Sequence, residues 1–361
     1  MSGHAMPGKI SDRRLRGNSS GQIDFQRLAS AVEALIRAAP ANRGTAPQRQ
    51  QNGENPAERN EGGGNKDGLT ASQAARALRF ALSRFAQADF CNDLAGFIVQ
   101  AGNRAQTVRT TIAERRFRLA YQPVVSLTDR TLHHFEALLR PDQTADQLPA
   151  GQDGATMDFI TFAEAVGLSE ELDLAVLEQA LETLRAAPGA KVAVNVSGLS
   201  IQSPAFRKRM LALIGGPIGS GPGNQQPARL MIELTETAEI ENVAAAAATL
   251  DGLRGVGVPV CLDDFGAGAA AFRYLRDFRV DYIKIDGAYI RAAASGGRAG
   301  GFVASMRDLA CSVGAQVIAE MIETEAQATQ MAELGVQFGQ GWLFGRPGAL
   351  PGMEAGMEAR R

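Results

Sequence analysis

The stretch "RLAYQPVVSLTDRTLHHFEALLR", residues 118–140, holds two apolar runs separated only by "TDRT", residues 128–131. A parallel crossover needs about a dozen residues or more, whereas a hairpin closes over a few, so these two runs are predicted to pair antiparallel. Six further short runs follow: "KVAVNVS" (191–197), "RLMIELTE" (229–236), "VPVCLDD" (258–264), "DYIKID" (281–286), "AQVIAE" (315–320) and "VQFGQGWLF" (336–344). Helix-length segments separate them, which allows right-handed parallel connections. The pattern predicts an α/β fold, a TIM-like (β/α)8 barrel with an antiparallel first strand. A doubly wound open sheet is the competing fold, but no Gly-rich nucleotide loop follows the first strand.

Upstream the texture changes. Residues 1–68, including "ANRGTAPQRQQNGENPAERNEGGGNKDG", are rich in Gly, Asn, Gln, Arg and Pro and hold too little apolar surface to offset the entropy of ordering, so most of this segment is expected to be disordered. Within it, Leu28, Val32, Leu35 and Ile36 share one face of a short helical pattern, a docking or dimerising helix or merely a fraying one. Residues 69–116 read as a helical lead-in, and 117–361 as the barrel.

The global numbers exclude several classes. Lys and Arg number 37 against 39 Asp and Glu, so nothing points to DNA, RNA or an anionic membrane surface. Cys91, Cys261 and Cys311 lie far apart without metal-type spacing, which fits a reducing cytoplasm and indicates neither a disulfide framework nor a thiolate zinc site. No run approaches the ~20 apolar residues that span a bilayer, and the first residues lack the apolar core of a secretory signal. A cytoplasmic protein without membrane insertion is the expectation.

Barrel chemistry sits at the C-terminal ends of the strands. Those ends carry Glu136, Asn195, Glu233, Asp263 with Asp264, Lys284, Glu320 and Gln340. One such group is most simply a solvated charge at a loop edge. A polar group at strand end after strand end is not, because each follows apolar residues committed to the interior. Five carboxylates and one lysine at a single mouth would repel, and protonate, unless cations sit among them. Oxygen donors without Cys or His favour Mg²⁺ or Mn²⁺ over Zn²⁺. Successive strand residues face opposite ways, so Asp263 and Asp264 can serve one site only if the chain leaves the strand there, which Gly266 and Gly268 permit.

These blocks, "YQPVVSL", "EALLRP", "VNVSGLS", "IELTETAEIEN", "LDDFGAG", "DYIKID", "VIAEMIET" and "GQGWLFGRP", resemble in order and spacing the EAL-domain family of bacterial cyclic-di-GMP phosphodiesterases, over about residues 117–347. The resemblance implies metal-dependent hydrolysis of cyclic di-GMP to linear pGpG, with two Mg²⁺ or Mn²⁺ ions per site. It implies Glu136, Asn195, Glu233 and Asp263 as ligands of one metal, and Asp263, Asp264 and Glu320 around the second. Lys284 and Gln340 would position water or a phosphate oxygen, Arg140 and Gln122 would contact the substrate, and Glu236 would brace the loop after Asp264. It also implies a homodimer, with an unidentified partner or sensor acting on the N-terminal segment. Where the family usually continues "DDFGAG" with an aromatic and two small hydroxyl residues, this chain has Ala269, Ala270 and Ala271. Met321 replaces the usual glycine, and Trp342 a smaller aromatic.

Two other functions fit parts of the pattern. One is a catalytically silent cyclic-di-GMP receptor signalling through its N-terminal helices. The other is proton abstraction beside a carboxylate by strand-end acids and a lysine, against which the "EALLR" and "QGWLFGRP" blocks count. His133 and His134, adjacent in a strand, are expected to face opposite ways and not to converge on a metal. Cys261 and Cys311 are read as small core residues, and the alanine run 244–248 as a helix packed on the barrel.

Overall fold

The computed structural model describes residues 94–142, 152–216, 226–235, 240–266, 271–294 and 299–351, with Gln73 and Arg76 as isolated helical positions. The expectations for residues 1–68, for Cys91, for Glu236 and for Ala269 and Ala270 lie outside these residues. The chain divides into two units, residues 1–106 and 107–361. In chain order the elements begin with α1 (Leu94–Ala113), β1 (Phe117–Ser126), β2 (Leu132–Pro141), α2 (Gln152–Val166), α3 (Ser169–Ala186) and β3 (Val192–Val196). Then come α4 (Gly198–Ile201), α5 (Pro204–Gly215), α6 (Gln226–Arg229), β4 (Leu230–Thr235), α7 (Val243–Gly255), β5 (Val260–Phe265) and α8 (Ala271–Asp277). The last are β6 (Tyr282–Ile285), α9 (Gly287–Ala294), α10 (Ala299–Ser312), β7 (Gln316–Ala319), α11 (Glu325–Glu333) and β8 (Phe338–Gln340).

The strands close into a TIM-like barrel in sequence order, β1 to β8. β1 runs antiparallel to both β2 and β8, and every other neighbouring pair is parallel. This is the arrangement that the four-residue gap at 128–131 demanded. Closure leaves no unpaired edge and turns alternate residues of each strand inward.

The helices start where local chemistry starts them. Ser203 accepts from the Phe206 N–H ahead of α5, with Pro204 in the first turn, where its missing N–H costs nothing. Thr324 and Gln327 cap α11 reciprocally. The alanine run forms α7, capped by Asn242, whose Ala246, Thr249, Leu250 and Leu253 make one buried face.

Inside the barrel, Val124, Ala193, Met231, Cys261 and Ile318 form a buried cluster, with Tyr282 and Phe338 packed against it. Each larger side chain buried here contributes ~1.5–3 kcal/mol. Ala193, Met231, Cys261, Tyr282, Ile318 and Phe338 stand two residues before Asn195, Glu233, Asp263, Lys284, Glu320 and Gln340 respectively. With a side-chain period of two, the apolar layer therefore sits directly beneath the polar one. In β2 the corresponding residue, two before Glu136, is His134, and it is buried. Cys261 is a core residue as expected. Cys311 is not, since it lies exposed on α10, whose buried positions are Val303 and Ala310.

Candidate active site

Two local irregularities shape the polar layer. Along β5 and β6 the register passes from Leu262↔Ile283 to Phe265↔Ile285, three residues on one strand against two on the other. This bulge breaks the alternation at Asp263 and Asp264, which is how adjacent carboxylates come to share one site. Asp264 itself takes the left-handed conformation, φ 55°, and its N–H donates to Asp263 Oδ1 at 2.9 Å. The following Gly266, φ 101°, lies so close to Tyr289 that a Cβ would meet the ring at 2.7 Å. The second irregularity is in β2. Val124 pairs with His134 but Val125 pairs with Leu132, so His133 is the extra residue. The expectation that His133 and His134 face apart is thereby overturned: their Nδ1 atoms lie 2.7 Å apart.

Lys284 is the centre of the layer. Its Nζ lies 3.1 Å from Glu136 Oε2, 3.3 Å from Glu233 Oε2, 3.1 Å from Asp263 Oδ1 and 2.8 Å from Glu320 Oε1, while the side chain is 1% exposed. Burial alone would lower the pKa of this ammonium, but the carboxylates around it hold it well above its ordinary value. One cation cannot serve all of them. Burial, followed by neighbouring acids, raises Glu233 and Asp263, pushes Glu320 up to about 8 and Asp264 up to about 6. Glu136 goes the other way despite its burial, because Lys284, Gln340 and Asn195 all stabilise its charge.

The remaining polar groups divide between those that join this network and those that do not. Asn195 Nδ2 donates to Glu136 Oε1 at 2.8 Å, and Gln340 Nε2 donates to Glu136 Oε2 at 2.6 Å and to Gln122 Oε1 at 3.2 Å. Gln122 stands opposite Glu136 in the β1–β2 register. Arg140, four residues beyond Glu136 on the same strand, donates to the Leu139 carbonyl at 3.0 Å and is half-buried. Behind Gln340, the backbone of Gly341 is packed so closely on Ile322 that a Cβ would overlap Ile322 backbone atoms. Met321 takes φ 53°, a left-handed position at the place where the resemblance expects glycine. Trp342 is exposed, with the Arg346 guanidinium 4.1 Å from its ring centroid.

Sequence reasoning passed over a brace just beyond Asn195. The Ser197 N–H donates to Asp173 Oδ2 at 3.0 Å, and Ser197 Oγ donates to Glu164 Oε1 at 2.7 Å. Both acids lie in helices whose sequence reads as ordinary amphipathic surface, so nothing local marked them. Burial, with help from Glu164 and Glu170, pushes Asp173 up to about 7. An acid whose folded pKa exceeds its unfolded value binds more protons when folded, so its favourable contribution holds at low pH and is lost as pH rises through about 7. Asp173→Asn keeps the acceptor and removes the charge. The variant is expected to be more stable than wild type by about 1–4 kcal/mol at pH 8 and to lose that advantage toward pH 4. Urea midpoints at the two pH values measure it.

The donor set fits divalent metal. Glu136, Glu233 and Asp263 bring ligand atoms within 4.8 Å of one another, as do Asp263, Asp264 and Glu320, so the two groups share Asp263. Asn195 Oδ1 and Gln340 Oε1 are buried acceptors without hydrogen-bond partners among the described residues. Buried oxygens left unmatched beside crowded carboxylates are what a hard cation satisfies. His133 and His134 stand apart from this set. Burial lowers them to about 4 and about 3, which keeps both imidazoles neutral.

A family model described as "EAL domain" matches residues 105–347. A Mycobacterium tuberculosis (strain ATCC 25618 / H37Rv) protein, Rv1357c, is 33% identical over 257 residues, 68% of this chain and 79% of that one. The cyclic di-GMP phosphodiesterase PdeL of Escherichia coli (strain K12) is 30% identical over 253 residues, 68% of this chain and 66% of its own. Among solved structures, the PaMucR phosphodiesterase in complex with c-di-GMP superimposes with a TM-score of 0.59 at 27% identity, covering 70% of this chain and 99% of that one. Among the described residues, no helix is long and apolar enough to cross a membrane.

Proposed function

The chain belongs to the EAL-domain family, and from that premise we propose that it hydrolyses cyclic di-GMP to linear pGpG with the help of Mg²⁺ or Mn²⁺. The observation that carries this reading is the pair of carboxylate groups sharing Asp263 around a buried lysine. Two cations held there would supply Lewis acidity and a lowered pKa for water, chemistry suited to a phosphodiester.

The chain's own residues do the rest. Glu136, Asn195, Glu233 and Asp263 would hold one cation, and Asp263, Asp264 and Glu320 the other. Lys284 spans both groups and stabilises negative charge as it grows on the phosphate oxygens, a contribution strengthened by exclusion of water from its surroundings. Gln340 fixes Glu136, Gln122 orients Gln340, and both place amide groups at the rim for the substrate. Arg140 at the end of β2 offers a planar pair of donors suited to a phosphate oxygen.

Incubation of the full chain with cyclic di-GMP and Mn²⁺, followed by chromatography, is expected to yield pGpG, and excess chelator to stop it. Nucleotide binding without any pGpG under Mg²⁺ or Mn²⁺ would make the protein the silent receptor instead. Neither binding nor product would remove cyclic di-GMP as its ligand.

A further inference from the structure

We propose that His134 is a positioning residue for Glu233, itself oriented by His133 and Tyr282 through a one-way chain of hydrogen bonds that climbs from the barrel floor to the metal-binding layer. The inference rests on the reading of the previous subsection, in that Glu233 is taken as a metal ligand.

The geometry begins with two orphaned atoms. His134 Nε2 and Glu233 Oε1 are both buried, both without a hydrogen-bond partner among the described residues, and 3.9 Å apart. Glu233 is fully buried and His134 2% exposed. Leaving a buried polar atom unmatched is costly, and here a movement of under an ångström would satisfy two at once. Glu233 Oε2 is the oxygen that faces Lys284, and therefore the side of the other carboxylates. Oε1 is left for a donor on the opposite side. His134 occupies the layer beneath the carboxylates, where its counterparts in the other strands are apolar or nearly so, except for the hydroxyl of Tyr282.

The direction of the protons then follows from one end. Glu233 holding a cation is ionised and can only accept, so His134 must carry its proton on Nε2. Its Nδ1 is then an acceptor, and His133 Nδ1, 2.7 Å away, must donate to it. That leaves His133 Nε2 as an acceptor, and the Tyr282 hydroxyl lies 3.3 Å from it and donates. Every atom in the series has one role, and no proton is left over. The β2 bulge is what makes this arrangement available, since without the extra residue His133 would point away from His134. Phe338, with its ring centroid 4.3 Å from that of His133, packs the lower imidazole in place.

Orienting groups behind metal-bound side chains commonly change affinity by about 10–100-fold when removed. Two measurements on the full chain test the proposal. The first is the ¹⁵N spectrum of histidine-labelled protein with Mg²⁺; the chain holds only three histidines, His4, His133 and His134, so assignment needs few variants. Expected are His134 protonated at Nε2 and His133 at Nδ1. His134 protonated at Nδ1 alone would overturn the chain. The second is Mn²⁺ titration by calorimetry of wild type, His134→Phe, which keeps a ring but cannot donate, and His134→Gln, which can. His134→Phe is expected to bind about tenfold more weakly and His134→Gln to recover to within about threefold of wild type. In turnover, the Mn²⁺ concentration for half-maximal rate should rise by the same factor in His134→Phe, while KM for cyclic di-GMP at saturating metal stays unchanged. Equal affinity in all three proteins, or equal losses in both variants, would reduce His134 to packing. Wild type that binds no Mn²⁺ at all would overturn the metal-site reading together with this one, whereas wild-type binding with an unaffected His134→Phe overturns this one alone.

Discussion

Lys284→Met is expected to cost the metal-free protein about 3–5 kcal/mol of stability, and divalent metal is expected to return much of it. The ammonium touches Glu136, Glu233, Asp263 and Glu320 while almost completely buried, so its removal leaves four acids facing one another with no cation among them. Methionine fills much of the same volume, which isolates the loss of charge from the opening of a cavity. The melting temperature without metal should fall by roughly 10 °C for a domain of this size. Saturating Mn²⁺ should raise it more in the variant than in wild type, because binding now relieves repulsion that Lys284 used to relieve. Hydrolysis should nonetheless remain badly impaired with metal present, since Lys284 is proposed to act on charge that develops only during the reaction. Calorimetric melts with and without Mn²⁺ read the first effect, and pGpG formation the second. A melting point independent of both the substitution and the metal would show that the acids are already neutralised by protons.

Asp263→Asn is expected to lower kcat about a thousandfold at saturating Mn²⁺, the largest loss from any single carboxylate in the layer. The reason is its shared position: it belongs both to the group with Glu136 and Glu233 and to the group with Asp264 and Glu320. Asparagine conserves the shape and can still accept the Asp264 N–H that Asp263 Oδ1 receives at 2.9 Å, so the bulge should survive. What disappears is the negative charge that two cations would share. Asp264→Asn, which touches only the second group, is the control. Calorimetry should show one Mn²⁺ bound by Asp264→Asn and weakened binding at both positions in Asp263→Asn. Turnover by Asp263→Asn within about tenfold of wild type would mean that the two carboxylate groups do not act as one centre.

Much of this site can be read along the chain because a strand has a fixed period. Once β2 to β8 are recognised as short apolar runs, each polar residue two positions after a buried one must rise to the same rim, and Glu136, Asn195, Glu233, Asp263, Lys284, Glu320 and Gln340 are found that way. The four-residue gap at 128–131 likewise leaves β1 only one way to pair. Crowded acids with one lysine then imply cations on electrostatic grounds alone.

What the chain could not disclose by itself is where the period fails. A bulge is a property of two paired strands, since it exists only as a mismatch between their registers, and neither strand carries it alone. Asp263 and Asp264 were anticipated to converge through the turn glycines, whereas the pairing of β5 with β6 places the irregularity within the strand, at Asp264 itself. The same kind of mismatch between β1 and β2 brings His133 against His134, where strict alternation sends them apart. Nor does sequence show that Lys284 reaches four acids at once, or that Asp173 and Glu164 support Ser197 from helices well before it in the chain. Strand order, hairpin and rim chemistry follow from local spacing and were determined by sequence; the four contacts of Lys284, the histidine pair under Glu233 and the protonation of each acid depend on distances across a closed barrel, which only tertiary packing sets.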